Sequence, residues 1–177
     1  MTAIGVLMAL ACLGFATVNI VFVLTDHFAQ GPFSEYASGL TVMNWLVVVL
    51  KVLGAAVALL SVARPPRFPS PAALSVLLWG AFATLGVYAV GGVVEAVGMV
   101  SGLTGSPDQV DLAGIAYVSF FVVTAAGYGV LAISHSRRHR PGKGFAVLGV
   151  LGAPVVLGLI LVGGPMLLVA LGVMPAP

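Results

Sequence analysis

Charge is what this sequence has least of. Only 7% of its 177 residues are Asp, Glu, Lys or Arg, while 60% are hydrophobic. A soluble domain carries about a quarter charged residues, so there is too little polar surface here to cover a water-soluble globule. The surrounding solvent is then lipid, where only helices and closed barrels satisfy their own backbone groups. The apolar runs are long and do not alternate with polar residues, which excludes barrel strands and leaves helices. Cysteine is nearly absent too. Cys12 stands alone, so it forms no intrachain disulfide and no dithiol relay. Ala9-Leu10-Ala11-Cys12 lacks the leucine that a lipobox carries three residues before its cysteine, and no Lys or Arg precedes it. Cys12 therefore reads as a core residue, and the first apolar run as a retained helix rather than a cleaved signal. Signatures of common catalysis are missing as well: there is no GxSxG, no P-loop and no Rossmann fingerprint. Neither a cofactor nor a metal is expected. His135 and His139 have i,i+4 spacing, but no carboxylate or cysteine accompanies them. The basic segments are too short to form a nucleic-acid groove.

The few charges present are sorted. Six of the seven basic residues fall in Arg64-Pro65-Pro66-Arg67 and Arg137-Arg138-His139-Arg140-Pro141-Gly142-Lys143. The five acids, Asp26, Glu35, Glu95, Asp108 and Asp111, lie in or near the other connections. Between them run stretches matching the ~20 residues that a bilayer needs. The reading is an all-α, multi-pass transmembrane bundle forming one domain over 1–177. Its five helices are expected at about 3–25, 40–63, 71–100, 108–134 and 145–174. Ser70-Pro71 puts a hydroxyl cap before a proline at the first helical position. Ser106-Pro107-Asp108-Gln109 repeats the pattern, with Gln109 placed to complete a capping box. Pro154 and Gly163-Gly164-Pro165 interrupt the last run, which predicts one kinked helix, with a re-entrant hairpin as the alternative. Basic loops face the cytoplasm in multi-pass proteins, so the N-terminus is expected inside, and 26–39 and 101–107 outside.

Lys51 breaks the sorting, because it sits within an apolar run, where a charge is costly and needs a partner or a task. Helical spacing shows what shares its depth. Phe15, Asn19, Phe22 and Asp26 form a stripe on the first helix; Asn44 and Lys51 lie on one face of the second. Thr84, Tyr88 and Glu95 align on the third, as do Tyr117, Phe121, Thr124 and Tyr128 on the fourth. These stripes should point inward and line an outward-open pocket. Catalytic candidates are Glu95, Lys51 and Asp26; substrate-binding candidates are Asn19, Phe22, Asn44, Tyr88, Tyr117, Phe121 and Thr124. A Lys51–Glu95 ion pair is feasible if the second and third helices adjoin. Such a pair either fixes helix packing or supplies acid–base chemistry. The outer segment 26–36, with two acids, a histidine and three aromatics, reads as an interfacial connection or a short lid helix.

Over Asn44 to Arg64, and at Asp111-Leu112-Ala113-Gly114-Ile115-Ala116-Tyr117-Val118-Ser119, the chain resembles a family of small bacterial integral-membrane proteins of four or five helices, a domain without assigned function. The likeness covers about two thirds of the chain and implies the fold and a bacterial plasma-membrane location. The family pattern carries a His and a Trp in the first helix, where this chain has Val18-Asn19-Ile20-Val21-Phe22. In kind, the chain is also similar to small integral-membrane terpene cyclases, in which a carboxylic acid protonates an alkene or epoxide and aromatic faces stabilise the carbocation. That likeness implies an enzyme, a cyclase or isomerase, acting on an isoprenoid-like, lipid-soluble substrate. A small transporter or proton-linked carrier is the alternative, with Lys51 and Glu95 as its gated charge pair; a polar path reaching both surfaces, or a homo-oligomer with facing Lys51 residues, would favour it. A non-catalytic subunit of a membrane complex is a third reading. Membrane lipids are the expected partners in every case.

Orientation is open to direct measurement. A cysteine at Ser38 should react with an impermeant maleimide added to intact cells, and one at Ser70 should react only after permeabilisation. Labelling of Ser70→Cys from outside would reverse the assignment.

Overall fold

The computed structural model describes residues 1–30, 34–63, 69–106, 108 and 110–173. Five helices make up nearly all of it: α1 (Thr2–Leu24), α2 (Ala37–Val62), α3 (Pro71–Val100), α4 (Leu112–His139) and α5 (Lys143–Ala170). There is no strand among the described residues. Each helix is long and apolar enough to cross a membrane, so the chain is built as a multi-pass membrane protein.

Local chemistry explains most of the boundaries. Ser70 accepts a hydrogen bond from the Ala73 N–H at 3.2 Å, and Pro71 opens α3, as the sequence suggests. The start of α4 differs. Asp111, not Ser106, is the cap, and its Oδ1 accepts from the Gly114 N–H at 2.7 Å. The carboxylate also suits the positive end of the helix dipole. Pro107 and Gln109 of the expected capping box lie outside the described residues. At its other end α4 runs on through Arg137, Arg138 and His139 and stops at Arg140, which adopts a left-handed conformation with φ of 47°. Cations in a last turn complement the dipole, so basic residues that mark a loop by composition are here part of the helix. The fifth apolar run is one continuous helix with Pro154 and Pro165 inside it; the hairpin alternative is not adopted. The segment after α1 holds two short 3₁₀ turns, His27–Ala29 and Ser34–Tyr36, rather than a lid helix. Its Gly31, Pro32 and Phe33 lie outside the described residues.

The helices pack as α1 against α2, and α3 between α4 and α5; lighter contacts of α1 with α4 and of α2 with α3 join the two sets. The core mixes small and large side chains, with Ala9, Ala58 and Ala132 beside Leu78, Phe121 and Tyr128. Small residues let membrane helices approach closely, since apolar side chains gain little by leaving lipid. A close approach to the backbone joins α3 and α5. A Cβ on Gly149 would lie 2.5 Å from the Val76 carbonyl oxygen and 2.9 Å from the Trp79 Cβ. Elsewhere α5 is mostly exposed, Gly149 and Leu168 being its buried residues.

Antiparallel alternation of the helices collects Arg137 to Lys143 at the end of the bundle that holds Met1, called here the basic end. Asp26, Glu35, Asp108 and Asp111 lie at the opposite, acidic end. Arg64 and Arg67 lie outside the described residues.

Close helix contact at Gly149 makes a prediction. Gly149→Ala should destabilise by about 1–3 kcal/mol through overpacking, seen as a melting temperature lowered by roughly 3–10 °C in detergent. Gly158→Ala, with nothing within 4 Å of the added carbon, should leave it unchanged or slightly raised.

Candidate functional site

Lys51 lies near the middle of α2 and points toward α1 and α4. Its ammonium sits over three phenyl rings: 4.6 Å from the centroid of Phe15, 5.0 Å from Phe121 and 5.9 Å from Phe120. The rings also hold one another. Phe15 and Phe120 stack at 5.3 Å, while Phe121 meets Phe15 edge-on at 5.8 Å and Phe120 edge-on at 5.5 Å. Tyr117 packs against Phe121 at 4.8 Å, and Tyr88 of α3 stacks on Phe121 at 5.4 Å. All of these separations lie in the favourable range for aromatic pairs. Phe121 is thus the hub, only 4% exposed, and the cluster draws on α1, α2, α3 and α4.

Magnitudes show what the rings do. A lysine at mid-membrane costs about 3 kcal/mol on insertion scales. A cation over an aromatic face recovers about 0.5–1 kcal/mol where exposed and ~2 where desolvated. Three faces together are of the size needed to offset the cost without any carboxylate.

The expected ion pair is not made. Glu95 is exposed on α3, seven residues beyond Tyr88, or about 10 Å along the helix. Among the described residues neither Glu95 nor Lys51 makes a hydrogen bond or a salt bridge, and the Lys51 ammonium is held over its rings. The reason lies in depth and exposure: Glu95 stands near the acidic end of α3, while Lys51 lies near the middle of α2, so the two differ by about 13 Å along the bundle.

The remaining candidates divide by what they touch. Lys51, Tyr88, Tyr117 and Phe121 come together, with Phe15 completing the group. Thr124 is buried beneath them, and its hydroxyl donates to the Phe120 carbonyl at 2.7 Å, anchoring the backbone that carries two of the rings. Asn19 and Asn44 form a separate clasp. The Asn19 amide donates to the Phe15 carbonyl at 2.8 Å, and the Asn44 amide donates to the Asn19 carbonyl at 2.8 Å. Phe22 stacks on His27 at 4.5 Å, toward the acidic end. Asp26 is exposed, in a left-handed conformation with φ of 48°. Neither joins the ring cluster.

Phe120 and the Cys12–Tyr128 pairing are not marked by the helical stripes. Phe120 lies one residue off the Tyr117–Phe121–Thr124 face, yet it turns its ring to Phe15. Cys12 and Tyr128 meet below the cluster, with Sγ and the hydroxyl 3.2 Å apart in the buried core. Gly54 of α2 lets them fit: a Cβ there would stand 3.1 Å from the Tyr128 hydroxyl and 3.3 Å from Cys12 Sγ. The signal was available, because Cys12, Phe15 and Asn19 share helical spacing on α1, as Gly54 and Lys51 do on α2. Among the described residues no group of three or more His, Cys, Asp or Glu could hold a metal ion.

Compared with protein-family models, curated proteins and solved structures, the chain has no significant match.

The site's geometry separates Phe121 from Glu95. Phe121→Ala removes a buried ring and should cost about 3–5 kcal/mol, lowering the melting temperature by roughly 10 °C. Glu95→Gln should leave it unchanged within about 1–2 °C, because surface substitutions away from packed groups have small effects. A large loss in the Glu95 variant would restore the ion pair.

Proposed function

We propose that this chain binds a lipid-soluble, isoprenoid-like molecule at the Lys51 centre, with an anionic oxygen on the ammonium and an apolar body against the aromatic rings. One observation supports this reading above the others: a membrane-embedded ammonium held by phenyl faces, with no carboxylate partner among the described residues. Aromatic faces attract the cation but leave its N–H donors free, and charge-assisted hydrogen bonds are the strong ones. Tyr88 and Tyr117, both substantially exposed, form the edge by which such a molecule reaches the site, and their hydroxyls supply further polar contacts. Membrane lipid is then both the surroundings and the source of the ligand.

The same arrangement weighs against carbocation cyclisation. The faces that would stabilise a carbocation already surround an ammonium, and two like charges a few ångströms apart repel strongly away from water. The acids needed to start such a reaction, Glu95 and Asp26, are exposed and outside the ring cluster. Binding of a lipid-soluble anion, as in a carrier, fits better than a cyclase of that type.

The test uses farnesoic acid carrying a diazirine, with the matching alcohol as its neutral counterpart. In nanodiscs the acid should label the wild-type protein near Tyr88 and Tyr117, and Lys51→Met should cut labelling about tenfold, the scale of a charge-assisted hydrogen bond. The alcohol should label weakly in both. Equal labelling of wild type and Lys51→Met, or equal labelling by acid and alcohol, would overturn the proposal.

A further inference from the structure

The basic end carries a second amphiphilic feature, distant in the fold from Lys51. A groove of about 470 Å³ runs along the last turns of α4 beside the start of α1, lined by Met1, Val130, Ile133, Ser134, Arg137 and Arg138. Its two halves differ in chemistry. Val130 and Ile133 give an exposed apolar floor on the part of α4 nearer the membrane interior. One turn further out, Arg137 and Arg138 give a cationic rim, with Arg138 Nη2 reaching the Ser134 hydroxyl at 3.4 Å. All four described acids at the opposite end, Asp26, Glu35, Asp108 and Asp111, are a full helix length away, and Glu95 lies on the acidic half of α3. Among the described residues neither arginine makes an ion pair.

We infer that this groove is a binding site for a single anionic phospholipid, its phosphodiester on Arg137 and Arg138 and the upper part of an acyl chain along Val130 and Ile133. The argument is charge and polarity matching in one place. A guanidinium presents a planar fork of donors that fits two phosphate oxygens. The apolar residues lie where α4 re-enters its membrane-spanning stretch, so an amphiphile fits both halves at once. A free phosphate would use only the rim, and a second protein helix would leave the two guanidinium charges without a counter-charge. Occupation would also neutralise the local repulsion among Arg137, Arg138, Arg140 and Lys143 and tie the end of α4 to the start of α1.

The test is native mass spectrometry of the detergent-solubilised full chain, titrated with phosphatidylglycerol or with phosphatidylcholine of identical acyl chains. Wild type should retain phosphatidylglycerol about tenfold more tightly, the scale expected for two arginines facing an anionic lipid. Arg137→Gln with Arg138→Gln should lose that preference, while Arg140→Gln, which lies outside the groove, should keep it. Ile133→Asn should weaken binding of both lipids alike. Unchanged melting temperatures would show that the variants fold, and a variant that unfolds would be replaced by the single Arg138→Gln. Equal retention of the two lipids by wild type, or a preference that survives the double change, would overturn the inference. Equal losses in Arg140→Gln would indicate diffuse charge, and competition by millimolar inorganic phosphate would indicate a phosphate site. Either result would also overturn it. None of these outcomes depends on the Lys51 centre.

Discussion

An ammonium halfway along a membrane helix must be solvated by protein, because lipid will not do it. Here the solvent shell consists of aromatic faces. Lys51 meets Phe15 on α1 and Phe120 and Phe121 on α4, so the charge can be accommodated only where α1, α2 and α4 come together. Satisfying one lysine thereby specifies how the α1–α2 hairpin meets the group of α3, α4 and α5. The direct contacts between these sets are light, and the ring cluster bridges the seam together with the Cys12–Tyr128 contact.

Everything around that seam reinforces it without adding charge. Thr124 returns its hydroxyl to the carbonyl of Phe120, and the Asn44 amide ties α2 to the backbone of α1 at Asn19. Cys12 and Tyr128 close the layer below. Interhelical hydrogen bonds of this kind contribute about 0.6 kcal/mol on average in membranes. They act as registration marks more than as the main source of stability, which comes from close packing at small residues. Gly149 and Gly80 do this between α3 and α5, and Gly54 between α2 and the Cys12–Tyr128 contact.

Much of this architecture is legible in the sequence. Apolar length alone gives five helices, and Ser70-Pro71 gives the start of α3. The inward placement of Lys51 and Phe121 follows from the cost of exposing such groups to lipid, whereas Tyr88 and Tyr117 sit at the exposed edge of the cluster. Three features were not legible, for distinct reasons. The sequence points to Ser106 as the cap of α4, but the helix begins after Asp111, whose side chain accepts a short bond from the Gly114 N–H. The end of α4 was masked by basic residues, which suit a helix C-terminus as well as a loop. The Lys51–Glu95 pair is feasible only if α2 and α3 adjoin at that depth, and Glu95 instead stands exposed toward the acidic end. Aromatic residues at helical spacing on α1 and α4 supply faces to the cation in place of a carboxylate.

The central claim is that phenyl faces, not a carboxylate, surround the Lys51 ammonium. The chain has two lysines, Lys51 and Lys143, and Lys143 is exposed at the start of α5. Carbon-13 labelling of lysine in protein reconstituted into nanodiscs therefore gives two ε-methylene signals that report on the two environments. Ring currents from Phe15, Phe120 and Phe121 should shift the Lys51 ε-protons upfield of those of Lys143, and Phe15→Leu should remove part of the shift. Coincident signals, or a Lys51 signal indifferent to Phe15→Leu but moved by Glu95→Gln, would contradict the account.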